Sequence, residues 1–151
     1  MTQSILFVCL GNICRSPSAE GVVRRMAAER GISLQLDSAG TGTWHLGDPP
    51  YAPMQAAASA RGYDLSDLRA RQVSRSDFDR FDLIVAMDAD NLANLEAMRP
   101  RQGGAELRLF TDYAAATGAD EVPDPYFTRD FDGTLDLIES AARGLLDQLA
   151  E

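Results

Sequence analysis

The opening of the chain constrains the fold most strongly, because an apolar run leads through a tight turn directly into a helical pattern. Residues 5–9 read ILFVC, a continuous, partly β-branched run cut short by a glycine, as expected of a strand buried on both faces. From Pro17 to Arg30 apolar residues recur at helical spacing, with Pro17 suited to the first helical position and Gly31 after the last turn. The sequence therefore predicts a central strand, a turn and a helix.

Further along the chain, strand patterns alternate with helical ones. Strands are predicted over 33–40, 81–87 and 105–110, and helices near 52–61, 75–80 and 88–98. A closing amphipathic helix carries one apolar face, formed by Leu135, Ile138, Ala142, Leu145 and Leu149. We therefore predict an α/β fold, a single three-layer domain over residues 1–151 with a short parallel sheet of about four strands and helices on both faces.

One segment breaks this rhythm. Residues 111–133 have no convincing periodicity. A structureless loop of that length in a compact domain is usually functional or disordered. The sequence therefore predicts a long loop here.

Composition excludes several classes of protein. With 151 residues and 45% hydrophobic residues, the chain can bury a core without disulfides or structural metals. A net charge of -9 opposes binding to nucleic acid or to an anionic membrane. The N-terminus lacks the basic region of a signal peptide, and no apolar run approaches the length of a membrane span. Only two cysteines are present, which fits a reducing compartment, and we expect a cytoplasmic protein.

The turn after the first strand has the residues of an anion site. Helix N-termini beyond the carboxyl ends of parallel strands present unpaired N–H groups to ligands. Gly11 and Asn12 tolerate left-handed backbone geometry, which lets successive amides curl around an anion, and Arg15 can hold two phosphate oxygens. These features favour the thiolate form of Cys9 at the base of the turn, and a thiolate beneath a bound phosphate is a nucleophile.

The residues of this turn also have common roles outside catalysis. Cysteine alone is often a buried apolar residue, and arginine at a helix start is often a surface cation. A dinucleotide site is disfavoured because GTGTWHLG lacks the G-x-G-x-x-G spacing, and no G-x-x-x-x-G-K-[ST] occurs. The combination of Cys9, Gly-Asn and Arg-Ser-Pro after the first strand favours a catalytic phosphate site.

At this point the sequence resembles the low-molecular-weight protein tyrosine phosphatases over nearly the whole chain. The matching segments are FVCLGNICRSPSAE, DSAGTGTWHLG, RARQV, AMDADNL and PDPYF. The resemblance implies Cys9 as nucleophile, Arg15 as phosphate clamp and Asp124 as general acid. It implies a phosphate-binding loop formed by Leu10, Gly11, Asn12, Ile13, Cys14, Arg15 and Ser16, with a bracing group of Asn12, Ser16, Ser38 and Asp88. It also implies phosphotyrosine-containing proteins as substrates, inorganic phosphate as product and no cofactor.

For the candidate acid and the pocket walls, residue type alone also allows an ordinary structural role. Asp124 is one of six acidic residues between 112 and 132 and could be solvated, but Pro123 and Pro125 fix its backbone. Trp44, Tyr126 and Phe127 could form aromatic walls for a phenyl ring, or belong to the core. Asp88 could simply cap a helix.

Two further residues affect the chemistry. His45 is the only histidine. No metal cluster can be assembled around it, so we expect it to be a loop residue and expect no metal site. Many members of the resembled family carry a histidine, bonded to the loop asparagine, where this chain has Leu68. The bracing of Asn12 is therefore expected to differ.

Cys14 is a candidate redox partner of Cys9, because the curl of the loop brings the two side chains toward the same region and a neighbouring thiol can trap an oxidised cysteine. Packing at the helix start is the alternative.

Three rival functions share features with this sequence. A thiol-dependent arsenate reductase needs resolving cysteines later in the chain, and none follows Cys14. A protein-arginine phosphatase usually has threonine where this chain has Ile13. A non-catalytic phosphate-binding module would be expected to lack the nucleophile or the acid, and both are present.

Overall fold

The computed structural model describes residues 3–101 and 104–150. Four parallel strands form one sheet in the order β2-β1-β3-β4: β1 Gln3–Cys9, β2 Leu34–Gly40, β3 Leu83–Ala86 and β4 Glu106–Leu109. All four predicted strands are confirmed, with ends shifted by no more than two residues. The predicted central strand is β1, which lies between β2 and β3.

Six α-helices accompany the strands in the described residues: α1 Arg15–Arg30, α2 Ala52–Ala60, α3 Asp77–Arg80, α4 Ala89–Met98, α5 Pro125–Thr128 and α6 Phe131–Leu149. The predicted start of α1 at Pro17 was wrong. Ser18 N–H already bonds to Cys14 O at 3.2 Å, so Pro17 is the third helical residue. Proline is tolerated there because the first N–H groups of a helix have no intrahelical partner. Gly31 ends α1 in left-handed geometry, as predicted.

The prediction of a structureless loop over 111–133 was also wrong in part. Phe110–Thr117 is a 3₁₀ helix with a kink at Ala114, and α5 and the start of α6 fall in the same range. A 3₁₀ helix has three residues per turn, so its apolar residues do not follow the α-helical period. The segment is anchored by Phe110, whose ring lies 5.4 Å from that of Phe7 in β1.

The sheet is the middle of three layers, which confirms the predicted architecture. Ile5, Phe7 and Cys9 of β1 belong to one buried cluster, with side chains of α1, α2 and α6. Leu6 and Val8 point to a second cluster, with residues of α3 and α4. The β1 side chains thus alternate between two cores, which explains why the strand is apolar throughout.

The carboxyl edge of this sheet positions the site. Cys9 ends β1 opposite Gly40, the last residue of β2. Val122 N–H bonds to Met87 O just past β3, at 2.8 Å, and this bond ties the segment before α5 to the same edge. No helix among the described residues combines the length and apolar character needed to cross a membrane.

Candidate active site

The loop between β1 and α1 curls over the carboxyl end of β1. Asn12 lies within it at φ 57°, the left-handed geometry that its sequence predicted. The start of the loop is held from the side by the chain that follows β2. Thr41 N–H donates to Cys9 O and Gly42 N–H to Leu10 O, both at 2.9 Å.

The thiol of Cys9 is buried at the base of this loop, with 2% of the residue exposed. Its Sγ lies 3.0 Å from Ser16 Oγ and accepts a hydrogen bond from Asn12 N–H at 3.3 Å. Hydrogen bonds donated to a sulfur anion stabilise it. Asn12 N–H therefore directs a donor at the position where a negative charge on this sulfur would lie.

Asn12 is the centre of a buried hydrogen-bond network that shapes the loop. Its Nδ2 donates to Ser16 Oγ at 2.8 Å and to Ser38 Oγ at 3.1 Å. Its Oδ1 accepts from the backbone N–H of Arg71 at 3.0 Å. The side chain of Leu68 packs against the core and has no polar atom. A backbone amide of Arg71 thus serves the Asn12 oxygen in this protein.

Glu20 extends this network and was missed in the sequence. Ser38 Oγ donates to Glu20 Oε1 at 2.8 Å, while Arg24 donates to Oε2 at 2.6 Å. Burial raises the pKa of Glu20, and the bonds from Ser38 and Arg24 act in the opposite direction. The only sequence signal was the Glu20/Arg24 spacing of four residues, which is equally common on solvated helix faces.

Arg71 is held by two carboxylates that the sequence did not indicate. Its guanidinium donates to both carboxylate oxygens of Asp77 at 3.0 Å and to Asp37 at 3.1 Å. Asp77 has no solvent exposure, and it also accepts from Ser74 N–H at 2.8 Å. Burial alone would raise the pKa of Asp77, but the hydrogen bonds from Arg71 and Ser74 lower it. Arg71 is thereby fixed, and with it the backbone amide that bonds to Asn12.

Arg15 begins α1 and lies beneath the loop, with 3% of the residue exposed. Its Nη1 donates to Asp88 Oδ2 at 2.6 Å and to Val122 O at 3.1 Å, and its Nη2 lies 3.4 Å from Asp124 Oδ2. Burial alone would lower the pKa of Arg15, but Cys9 and the two aspartates raise it. Its Nε is buried without a hydrogen-bond partner among the described residues.

Asp88 combines the two roles considered for it. Its Oδ1 accepts from Asn91 N–H at 2.8 Å, which caps α4, while its Oδ2 pairs with Arg15. The cap fixes the carboxylate, and the carboxylate orients the guanidinium.

Asp124 lies at the start of α5. Its Oδ1 caps this helix by accepting from Tyr126 N–H at 3.1 Å, and Pro125 occupies the first helical position. The side chain is 24% exposed, so the carboxyl group reaches both Arg15 and the open pocket.

These residues enclose a pocket of about 230 Å³. The structure brings the candidate nucleophile, clamp, acid and three aromatic residues together as its lining: Cys9, Leu10, Gly11, Ile13, Cys14, Arg15, Trp44, His45, Asp124, Tyr126 and Phe127. Trp44 and Phe127 are 72% and 73% exposed, and Tyr126 is 42% exposed. These aromatic residues are therefore rim residues, not core.

His45 also lines this pocket, which the sequence did not indicate. Its Nδ1 lies 3.3 Å from Asp48 Oδ2, and its ring packs against Gly11. It is a loop residue, as expected. Its place beside the phosphate-binding loop depends on how the segment after β2 folds back.

Cys14 occupies the cap position of α1 and is 3% exposed. Burial raises the pKa of Cys14 to about 12, with smaller contributions from the charges of Cys9 and Asp124. Both cysteines are free thiols. The redox pairing of Cys9 with Cys14 stays a prediction.

Comparison with known proteins gives a consistent result. The model of the family described as "Low molecular weight phosphotyrosine protein phosphatase" matches residues 4–151. The low molecular weight protein-tyrosine-phosphatase YfkJ of Bacillus subtilis is 42% identical over 95% of this chain and 93% of its own length. The crystal structure of YfkJ superposes with a TM-score of 0.94 at 40% identity, covering 99% of this chain and 96% of that one. The crystal structure of a Drosophila arginine phosphatase superposes with a TM-score of 0.92 at 30% identity, covering 97% of this chain and 98% of that one.

Proposed function

The chain belongs to the low molecular weight phosphotyrosine protein phosphatases and is a phosphoric monoester hydrolase acting on phosphotyrosine, and from this premise we propose that Cys9, Arg15 and Asp124 perform its chemistry. We also propose that residues 1–151 form one catalytic domain.

The observation that carries the proposal is the unpaired Nε of the buried Arg15 guanidinium. A guanidinium that is almost fully buried keeps its Nε free of any partner in the described residues, in the pocket that holds the Cys9 thiol. A buried N–H without a partner is costly. A phosphate oxygen supplies that partner and meets the curled amides of residues 10–16.

In the first step, a lone pair of the Cys9 thiolate attacks phosphorus in line with the leaving phenolic oxygen. An S–P bond forms as the P–O bond breaks, and Asp124 transfers its proton to the departing oxygen. Arg15 and the loop amides stabilise the charge on the equatorial oxygens. Ser16 Oγ, 3.0 Å from Cys9 Sγ, stabilises the sulfur when it is again the leaving group.

In the second step, Asp124 acts as a base. Its carboxylate accepts a proton from water, whose oxygen attacks phosphorus as the S–P bond breaks. Inorganic phosphate leaves and the Cys9 thiolate and protonated Asp124 are restored. One carboxyl group at the pocket mouth suffices for both steps because water enters where the phenol has left.

The pocket walls support phosphotyrosine over phosphoarginine. Trp44, Tyr126 and Phe127 provide aromatic faces for a phenyl ring. Ile13, which also lines the pocket, offers an aliphatic side chain that accepts no hydrogen bond from a guanidinium. An arsenate reductase is disfavoured because no cysteine follows Cys14.

We further propose that the enzyme works in the cytoplasm on phosphotyrosine-containing proteins. Two free thiols, one of them the proposed nucleophile, favour a reducing compartment.

The test is trapping of the intermediate. Acid quenching during turnover of p-nitrophenyl phosphate, followed by intact-mass and peptide analysis, is expected to show one phosphate on Cys9. Cys9→Ser is expected to abolish turnover, and Asp124→Asn to slow it at least a hundredfold, the scale of general acid catalysis. Asp120→Asn is the matched control, an exposed acid of the same segment. Turnover by Cys9→Ser, or preference for phosphoarginine over phosphotyrosine peptides, contradicts the proposal.

A further inference from the structure

Arg129 is a cation near the pocket rim that no carboxylate neutralises. Its Nη1 donates to Tyr51 OH at 2.9 Å, and its guanidinium lies over the rings of Tyr51 and Phe131, at 5.3 and 5.2 Å from their centroids. None of the ion pairs within residues 3–101 and 104–150 includes it, although the whole chain carries a net charge of -9.

The carboxylates nearest in sequence are committed elsewhere. Asp130 caps α6 by accepting from Gly133 N–H at 2.9 Å. Asp132 pairs with Arg61 at 3.4 Å, and Asp124 caps α5 and faces Arg15. A guanidinium stacked on aromatic rings keeps the N–H groups at its edge available. The charge of Arg129 is therefore free to meet a ligand.

The backbone holds Arg129 in place at a cost. Its φ is 64°, and Asn12 is the only other non-glycine residue at positive φ in the described part of the chain. Left-handed geometry is strained for such a residue, and it persists where the surrounding structure requires it. Glycine would fit the same turn without strain. Glycine at this position would lose the contacts that the Arg129 side chain makes with Tyr51 and Phe131.

Arg129 is connected to the phosphate pocket through one aromatic neighbour. The ring of Tyr51 lies 5.2 Å from that of Tyr126, which lines the pocket. Tyr51 N–H also donates to Ile13 O in the phosphate-binding loop at 2.8 Å. Arg129 Nη1 itself lies 3.5 Å from the carbonyl oxygen of Tyr126. Arg129 is exposed, so a peptide whose phosphotyrosine enters the pocket can reach this cation.

We propose that Arg129 forms a subsite for a carboxylate of the substrate, the side chain of an aspartate or glutamate close to the phosphotyrosine. The inference rests on the proposed function, because it places the phosphotyrosine in the pocket. Through Arg129, an enzyme with a negative net charge presents a local positive charge to an acidic peptide segment.

The experiment compares peptides that differ by one charge. Heptapeptides with a central phosphotyrosine in an alanine background carry glutamate at one flanking position at a time, each matched to a peptide with glutamine there. For wild type we expect kcat/KM to be about two- to fivefold higher for glutamate at one or more positions, the range of a partly exposed ion pair. This ratio is expected to approach one at about 0.5 M salt.

Two variants identify the residue responsible. Arg129→Gln is expected to bring the glutamate-to-glutamine ratio to one or below, because the remaining chain is even more acidic. Arg143→Gln removes the same charge from an exposed position on α6, about 18 Å along the helix from Phe131 at 1.5 Å per residue, and should keep the wild-type ratio. Because each ratio is taken within one variant, a general loss of activity or stability does not affect it.

The outcomes are distinct. A ratio of one at every position in wild type, with the glutamine peptides hydrolysed, overturns the subsite and leaves the phosphatase intact. An unchanged ratio in Arg129→Gln also overturns the subsite and leaves Arg129 as packing behind the pocket wall. Failure of wild type to hydrolyse any of the phosphotyrosine peptides overturns the proposed function, and the subsite with it.

Discussion

Gly40 lies directly against the carbonyl oxygen of Leu10, so that a Cβ at residue 40 would stand 2.7 Å from that oxygen and 3.2 Å from the backbone nitrogen of Asn12. The end of β2 therefore sets the shape of the phosphate-binding loop, because backbone atoms of that loop occupy the space that a side chain would need.

Gly40→Ala is expected to displace this loop. We expect at least a tenfold loss of kcat/KM and weaker inhibition by phosphate, with about 1–3 kcal/mol of stability lost through overpacking. Steady-state kinetics and denaturant unfolding measure both effects.

Gly118→Ala provides the control for that variant. Gly118 has a φ of 74° and no neighbour within 4 Å of a Cβ, so alanine is strained there without touching the loop. It should lose about 1–2 kcal/mol of stability and keep its activity. Equal kinetic losses in both variants would mean that instability, not loop shape, limits Gly40→Ala.

Asp77 links the pH dependence of stability to the bracing of Asn12. Burial alone would raise the pKa of Asp77, but the hydrogen bonds from Arg71 and Ser74 lower it below its unfolded value. Its contribution to stability is thus fully present above the unfolded pKa of about 3.9, and lost as pH falls through the lower folded value. Asp77→Asn should cost about 1–3 kcal/mol at pH 7.

The measurement is urea unfolding of wild type and Asp77→Asn between pH 7 and pH 3. The difference in the free energy of unfolding should shrink toward the acid end. Asp79→Asn, an exposed acid on the same helix, is the control. A difference that grows with acidification contradicts the assignment.

Cys14 should react slowly as a thiol despite lying in the pocket. Burial raises its pKa to about 12, so only about one thiol in 10⁵ is ionised at pH 7. In the Cys9→Ser variant Cys14 is the only cysteine, and burial, the largest cause of its raised pKa, remains although the Cys9 charge is gone. We expect iodoacetamide to modify Cys14 there at least a hundredfold more slowly than in the unfolded chain at the same pH. The rate should rise nearly tenfold per pH unit between pH 7 and pH 9.

Oxidation is expected to change the role of Cys14. A sulfenic acid on Cys9 removes the thiolate charge that helps to raise the pKa of Cys14. The Cys14 sulfur can then attack Cys9 sulfur to form a disulfide, with release of water. Cys14→Ser should be active, but dithiothreitol should restore much less of its activity after peroxide than in wild type. Equal recovery would assign Cys14 to packing alone.

Metal removal should have no effect on turnover. The charge stabilisation and proton transfer assigned above come from Arg15, the loop amides and Asp124. We expect incubation with EDTA to leave kcat unchanged, while vanadate, which mimics the trigonal-bipyramidal transition state, inhibits competitively. Loss of activity in EDTA that added divalent metal restores would contradict this mechanism.

The strand-turn-helix at the start of the chain could be predicted because its signals are local. Apolar runs, a left-handed Asn12 and a glycine after α1 act over a few residues, and the structure confirms each one. The 3₁₀ helix at Phe110–Thr117 could not be predicted, because it is held by packing against α6 and by the contact of Phe110 with Phe7, and not by a periodic sequence pattern.

The candidate site divides in the same way. Cys9, Arg15 and Asp124 were recognisable from residue type, spacing and resemblance. The sequence did not reveal the positions of Glu20, Asp77 and His45 at the site, because the role of an acid or a lone histidine depends on which groups lie next to it in the fold. The bonds from Ser38 to Glu20 and from Arg71 to Asp77 join residues 18 and 6 positions apart, and no periodic rule relates them.

The sequence by itself determined the proposed chemistry, since a candidate nucleophile, a cation and a proline-bracketed acid are properties of side chains and their immediate neighbours. Tertiary structure alone decided which groups surround them. The Arg71 amide meets Asn12, and Arg129 meets Tyr51, because distant segments converge at the carboxyl edge of the sheet. Hydrogen bonds and ion pairs act over a few ångströms in space, whatever the separation along the chain.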